Sequence, residues 1–172
     1  MSGIGSFTKG LAEVLSLKDR EEYERALTRL EELRQAWPGN AQLHVLWASL
    51  VQLQEESAHS LDDAKRTLQH ALDLDPKSPT AAIELGYFLD NVEDNPQAAT
   101  KAFAQGIATA RQLLIDGLLG QAKALLQLDK HEDALRCLVE AHTLADADRG
   151  VKKLFATRIE EMFKELGQTQ SA

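Results

Sequence analysis

The sequence predicts an all-α protein, an α-solenoid of antiparallel helix hairpins in one domain over residues 1–172. Three observations predict it. Ala, Leu, Glu and Gln are plentiful while β-branched and aromatic residues are scarce, and unbranched side chains lose little rotamer freedom in a helix. Small, large and small residues recur at +0, +4 and +7 in sets led by Ala64, Ala99 and Ala134, preceded by Ala26, Leu30 and Leu33 at the same steps, and the leading alanines stand 38, 35 and 35 residues apart. On a helix each set forms one stripe. The four prolines, at 38, 76, 79 and 96, all fall between the apolar-periodic stretches, so none removes a helical hydrogen bond.

The elements follow in order. Helices are expected near 5–17 and 19–36, with the charge run Lys18–Arg25 as a solvated face carrying i,i+4 pairs. Ala26, Leu30 and Leu33 stripe the second, which ends at Trp37-Pro38-Gly39. Asn40 then caps a helix over 40–57. Ser60, with Asp63 three residues on, is a capping box with Asp in place of Glu, and opens 61–74. Ser78-Pro79 and Asn95-Pro96 each place a capping residue before a proline at the first helical position, opening 79–93 and 96–110. After a break at Arg111 a helix spans 112–128. Asp129 caps 130–145, and Asp146 or Asp148 caps 149–166. Leu85-Gly86 and Leu119-Gly120 lie 34 residues apart, each inside an apolar-periodic stretch. Glycine in mid-helix costs about 1 kcal/mol relative to alanine, so a neighbouring helix is expected close to the backbone at both. The first few residues and Gln168–Ala172 are expected to be disordered.

A helical hairpin recurring near 34 residues, with these stripes, resembles the tetratricopeptide repeat. The best match is Pro79–Arg111, with Ala82, Leu85-Gly86, Ala99, Phe103 and Gly106. Leu113–Asp146 offers Leu119-Gly120, Ala134, Leu138 and Ala141. His44–Pro76 offers Trp47, Leu50, Ala64, Leu68, Ala71 and Pro76, with Val51 where the family often has glycine. Phe7–Pro38 is a degenerate first repeat. Repeats are thus expected at approximately 7–40, 44–78, 79–112 and 113–147, with a capping helix over 149–166.

A formal net charge of −8 disfavours nucleic acid, whose binding rests on Lys and Arg at phosphates, and an anionic membrane surface. Cys137 is the single cysteine, so no intrachain disulfide forms, which fits a reducing compartment. No apolar run reaches the roughly 20 residues of a membrane span, and Met1–Gly10 lacks the apolar core of a secretory signal. The expected location is the cytoplasm.

Catalysis needs converging groups. His44, His59, His70, His131 and His142 are scattered, and no HExxH, paired CxxC or phosphate-binding glycine motif occurs. His131-Glu132-Asp133 reads as a solvated first turn, and Cys137 as a buried, inert thiol. The chain is expected to be no enzyme and to carry no cofactor or metal.

The resemblance implies a concave groove lined by the first helix of each pair, in which an extended peptide lies. Its candidates are Ala48, Gln52 and Glu55, then Thr80, Ile83, Tyr87, Asp90 and Asn91, then Leu114, Gly117, Gln121 and Ala124. Tyr87 and Asn91, four residues apart, offer stacking and amide hydrogen bonds. Thr80, Ile83, Glu84, Gly117 and Leu118 stand where family members that bind acidic chaperone tails carry cations and asparagine. A neutral or basic protein segment is therefore the expected partner, with the chain an adaptor or scaffold. The alternatives are a small chaperone dedicated to a secretion-type cargo, or a homo-oligomeric subunit. Val151, Leu154, Phe155, Ile159, Met162, Phe163 and Leu166 stripe the last helix. Phe155, Ile159, Met162 and Phe163 either cap the array or face a second copy, making the chain a monomer or a homodimer.

Overall fold

The computed structural model describes residues 3–54 and 58–169, and among them eight helices and no strand form. They are α1 (Gly3–Asp19), α2 (Tyr23–Ala36), α3 (Ala41–Gln52), α4 (Leu61–Leu74), α5 (Pro79–Asn91), α6 (Pro96–Gln127), α7 (His131–Asp146) and α8 (Arg149–Thr169). The chain divides into two compact units, Met1–Gly106 and Ile107–Ala172. Residues 1–2 and 170–172, and the expected last turn of the third helix at 55–57, lie outside the described residues.

The caps explain where most helices begin. The Asn40 side chain accepts from the N–H groups of Gln42 and Leu43. The Ser60 hydroxyl accepts from the Asp63 N–H while the Asp63 carboxylate accepts from the Ser60 N–H, closing the capping box. Ser78 accepts from the Ala81 N–H ahead of Pro79. Asn95 accepts from the Ala98 N–H, and Asp148 from those of Gly150 and Val151. Each satisfies donors that a helix start leaves unpaired.

Two boundaries correct the sequence reading. The break at Arg111 is absent, because α6 runs unbroken through it. From Gln97 to Gln127 there is no proline to remove a donor, and Ala, Leu and Gln dominate, which favours continuing the helix. Asp129 does not cap α7. It takes a left-handed φ of 57° and ends α6, with the Lys130 N–H reaching back to the Leu125 carbonyl at 2.9 Å. Glu21 and Asp94, at φ 61° and 47°, end α1 and α5 the same way, through Glu22 N–H to Leu17 and Asn95 N–H to Leu89. Lys130, the residue before α7, provides no side-chain cap.

In the first unit, Val14, Leu17, Ala26, Leu30, Leu43, Leu50, Ala64 and Leu68 build one core from α1–α4, to which α5 adds Ala81 and Phe88. Leu89 of α5 packs with Ala99 and Ala102 of α6. Ile83 meets Gly106 and Gly86 meets Phe103, so earlier residues of α5 oppose later ones of α6 and the pair is antiparallel. In the second unit, Ile115, Leu119 and Ala122 of α6, Ala134, Leu138 and Ala141 of α7, and Val151, Phe155, Ile159 and Leu166 of α8 form another core.

The paired glycines part company. A Cβ on Gly86 would lie 2.7 Å from the Phe103 ring, so close approach holds there. One on Gly120 would meet nothing within 4 Å. In the second unit α6 buries Ile115, Leu118, Leu119 and Ala122. The next position after Leu119 is rotated some 100° away, and Gly120 is exposed. Close approach at Gly120 is therefore overturned.

Candidate functional site

Side chains three and four apart lie on one face of a helix, and two such rows meet in the first unit. Gln42, Val45, Ser49 and Gln52 run along α3, and Thr80 and Glu84 along α5. With Leu46, Leu53 and Lys18 from the end of α1, they line a groove of about 400 Å³. Val45 is buried and Leu46 half-buried, giving the groove an apolar floor. Gln42 and Thr80 are exposed on its rim.

The polar groups are held by local bonds. The Ser49 hydroxyl lies 3.1 Å from both the Val45 carbonyl and a Glu84 carboxylate oxygen, tying α3 to α5. Gln52 donates to the Ala48 carbonyl at 3.1 Å, which leaves its Oε1 free to accept and its second N–H to donate. Lys18 is half-buried and brings one ammonium to a groove whose carboxylate is Glu84.

Gln52 also lines a second depression of about 470 Å³, with Val51, Gln54, His59, Leu61, Asn91 and Val92. Of the expected groove residues, the structure thus brings Gln52 together with Thr80 on one side and Asn91 on the other. Tyr87, half-exposed, leans instead on α6, its ring 5.0 Å from that of Phe103 and nearly perpendicular. Ile83 is half-buried and faces Gly106. Asp90 is exposed. Glu55 lies outside the described residues. Ala48 is fully buried in the core, so it is corrected from groove residue to packing residue.

In the second unit Gln121 lines a hollow of about 390 Å³ with Leu118, Leu125, Asp133, Arg136, Cys137 and Glu140. Cys137 is only partly buried there, against the expectation of a buried thiol. Leu114, Gly117 and Ala124 are exposed. Phe155, Ile159 and Met162 are buried in the core, with Phe163 packed against it. Leu154, two-thirds exposed, points out. His142 stands in solvent, 3.7 Å from Asp146.

The sequence does not mark Lys18, Gln42, Ser49 and Glu84 as one site. The signal for three of them was available, since Gln42, Ser49 and Gln52 stand at +0, +7 and +10, and Glu84 one turn beyond Thr80. Lys18 comes from another hairpin, and no spacing along the chain points to it. Among the described residues no group of three or more His, Cys, Asp or Glu is placed to hold a metal, and no helix is long and apolar enough to cross a membrane.

No protein-family model matches the chain. It is 27% identical over 97 residues to an uncharacterised 18.1 kDa protein in the carS 3′ region of Myxococcus xanthus, a match covering 56% of this chain and 57% of that one. The chain thus spans little more than half the length of this curated relative. Among solved structures it resembles MamA 41-end from Desulfovibrio magneticus RS-1, at a TM-score of 0.52 and 24% identity over 61% of this chain and 56% of that one. A crystal structure of MamA protein aligns over 96% of this chain and 92% of its own, at a TM-score of 0.49 and 16% identity. The likeness is one of fold. The chain is an all-helical, tetratricopeptide-like solenoid of helix hairpins.

Proposed function

We propose that the chain is a protein-interaction module, not an enzyme, and that the groove between α3 and α5 takes an extended segment of another protein. The observation that carries this reading is the groove's lining. An apolar floor of Val45 and Leu46, with exposed Leu53 beside it, is edged by the amides of Gln42 and Gln52 and the hydroxyl of Thr80. A peptide backbone alternates donors and acceptors, and amide and hydroxyl side chains serve both. An apolar floor with a few placed polar groups is the usual make-up of a recognition site.

The lining carries one cation, Lys18, and one carboxylate, Glu84, the latter already engaged by Ser49. It therefore favours a segment without strong net charge, within the neutral-or-basic class that the acidic chain accommodates. Asn91 and Gln52 extend the surface toward the ends of α3 and α5. Hydrogen exchange on the chain, alone and bound to a protein copurified from native extract, tests the reading. Protection confined to the faces of α3 and α5 is expected. Protection confined to α7 and α8 would contradict it.

A further inference from the structure

His44, near the start of α3, is one of two buried polar or charged side chains among the described residues. Its Nε2 lies 2.9 Å from the Pro38 carbonyl. A carbonyl only accepts, so Nε2 carries the ring proton and Nδ1 is the bare nitrogen. That nitrogen accepts from Nε of Arg34 on α2, at 3.3 Å. Arg34 is itself fixed twice more. Its Nη1 meets Glu31 at 2.8 Å, and its guanidinium lies over the Trp47 ring, 4.6 Å from the centroid. From α4, the His70 ring stands edge-on to His44 at 4.8 Å. The charged and titratable groups facing His44 are thus Arg34 and Glu31 from α2 and His70 from α4. The neutral imidazole joins α2 and its following turn to α3 through one bond given and one received.

That arrangement has a single compatible protonation state. A proton on Nδ1 sets an N–H against the Arg34 N–H and a cation against a cation, inside packed surroundings that screen them poorly. His44 keeps its bond to Pro38 in either state, so the contact that yields is Arg34. We propose that His44 and Arg34 form a proton-operated latch between α2 and α3, in which a proton taken up from solvent at His44 Nδ1 expels the Arg34 guanidinium from His44 and from the face of Trp47. Glu31 retains the released guanidinium on α2. Burial and the facing Arg34 both hold His44 below the ordinary histidine value of 6.5, so the latch is closed at neutral pH and opens on acidification.

The chain has two tryptophans, Trp37 and Trp47, and the His59 ring also stands edge-on to Trp47 at 4.8 Å, so Trp37→Phe combined with His59→Gln leaves Trp47 as the reporter of its covering cation. Emission is followed between about pH 8 and pH 5, with far-UV circular dichroism alongside. The latch predicts a one-proton change in Trp47 emission with its midpoint below 6.5 and no matching loss of helix. Adding His44→Gln should abolish it, because a glutamine donates to Pro38 and accepts from Arg34 without titrating. Adding His70→Gln should retain it. Flat emission, or the same transition in the His44→Gln chain, would overturn the proposal. The imidazole resonances of the unsubstituted chain give a check independent of how the variants fold. His44 titrating at 6.5 or above, or without a concurrent shift of the Trp47 indole, would also overturn it.

Discussion

The ring of Phe103 occupies the space where a side chain on Gly86 would stand, with Cδ1 and Cε1 each 2.7 Å from a Cβ built there. The ring's Cγ is also only 3.0 Å away, so the contact is not with a flexible chain end that can swing aside. Gly86→Leu should therefore destabilise the protein by roughly 1–3 kcal/mol through overpacking. Gly120→Ala has open space and should stabilise by up to about 1 kcal/mol through helix propensity alone. Urea midpoints of the two variants check both signs.

The same pair shows what the sequence holds and what it hides. The alanine stripes locate the hairpins, since Ala64, Leu68, Ala71, Ala134, Leu138 and Ala141 are all fully buried, and burial at +0, +4 and +7 is a local property of a helix. Whether a glycine is filled is a property of the neighbour. Leu85-Gly86 and Leu119-Gly120 read alike, yet only the first meets a ring. The end of α6 was hidden for a related reason. A helix stops where some residue makes stopping favourable, and Arg111 does not, so the 34-residue period alone misplaced a turn there. The groove was half legible. Gln52, Thr80 and Asn91 follow from their places along α3 and α5, whereas Lys18 arrives from α1 through packing.

Acid should weaken the capping box of α4 only at low pH. The Asp63 carboxylate accepts from the Ser60 hydroxyl, then from the Ser60 N–H, and pairs with Arg66, which lowers its pKa from 3.8 to about 2. A carboxyl depressed in the folded state contributes stability that is fully present above 3.8. The contribution is lost as pH falls through about 2. Titrating the Asp63 carboxyl carbon by NMR should give a midpoint near 2. Ser60→Ala should move it up toward 3.8, and an unmoved midpoint would remove Ser60 as the main cause.

The last helix should prove to be a cap by its energetics. Ile159 is 1% exposed and Phe155 8%, and both pack with α6 and α7 residues of the second unit. Ile159→Ala and Phe155→Ala should each cost about 2–5 kcal/mol, and Leu154→Ala, at an exposed site, close to nothing. Truncation after Asp148 should leave an aggregating chain. Sedimentation equilibrium separates this from the dimer reading. Phe155→Glu should unfold a monomer, whereas a folded monomer derived from a dimer would make the stripe an interface.

The face of α3 and α5 is the proposed protein-binding surface. Gln42→Glu with Thr80→Glu tests it most directly, because both exposed positions lie in first turns, where a negative charge complements the helix dipole and should not lower stability. The partner is the stoichiometric protein copurified from native extract, and its affinity for the double variant is compared with that for Leu154→Glu, a surface control in the second unit. The groove variant should lose about tenfold or more, about 1.4 kcal/mol, at an unchanged melting temperature, and the control nothing. Full affinity in the groove variant, with loss confined to Leu154→Glu, would contradict it.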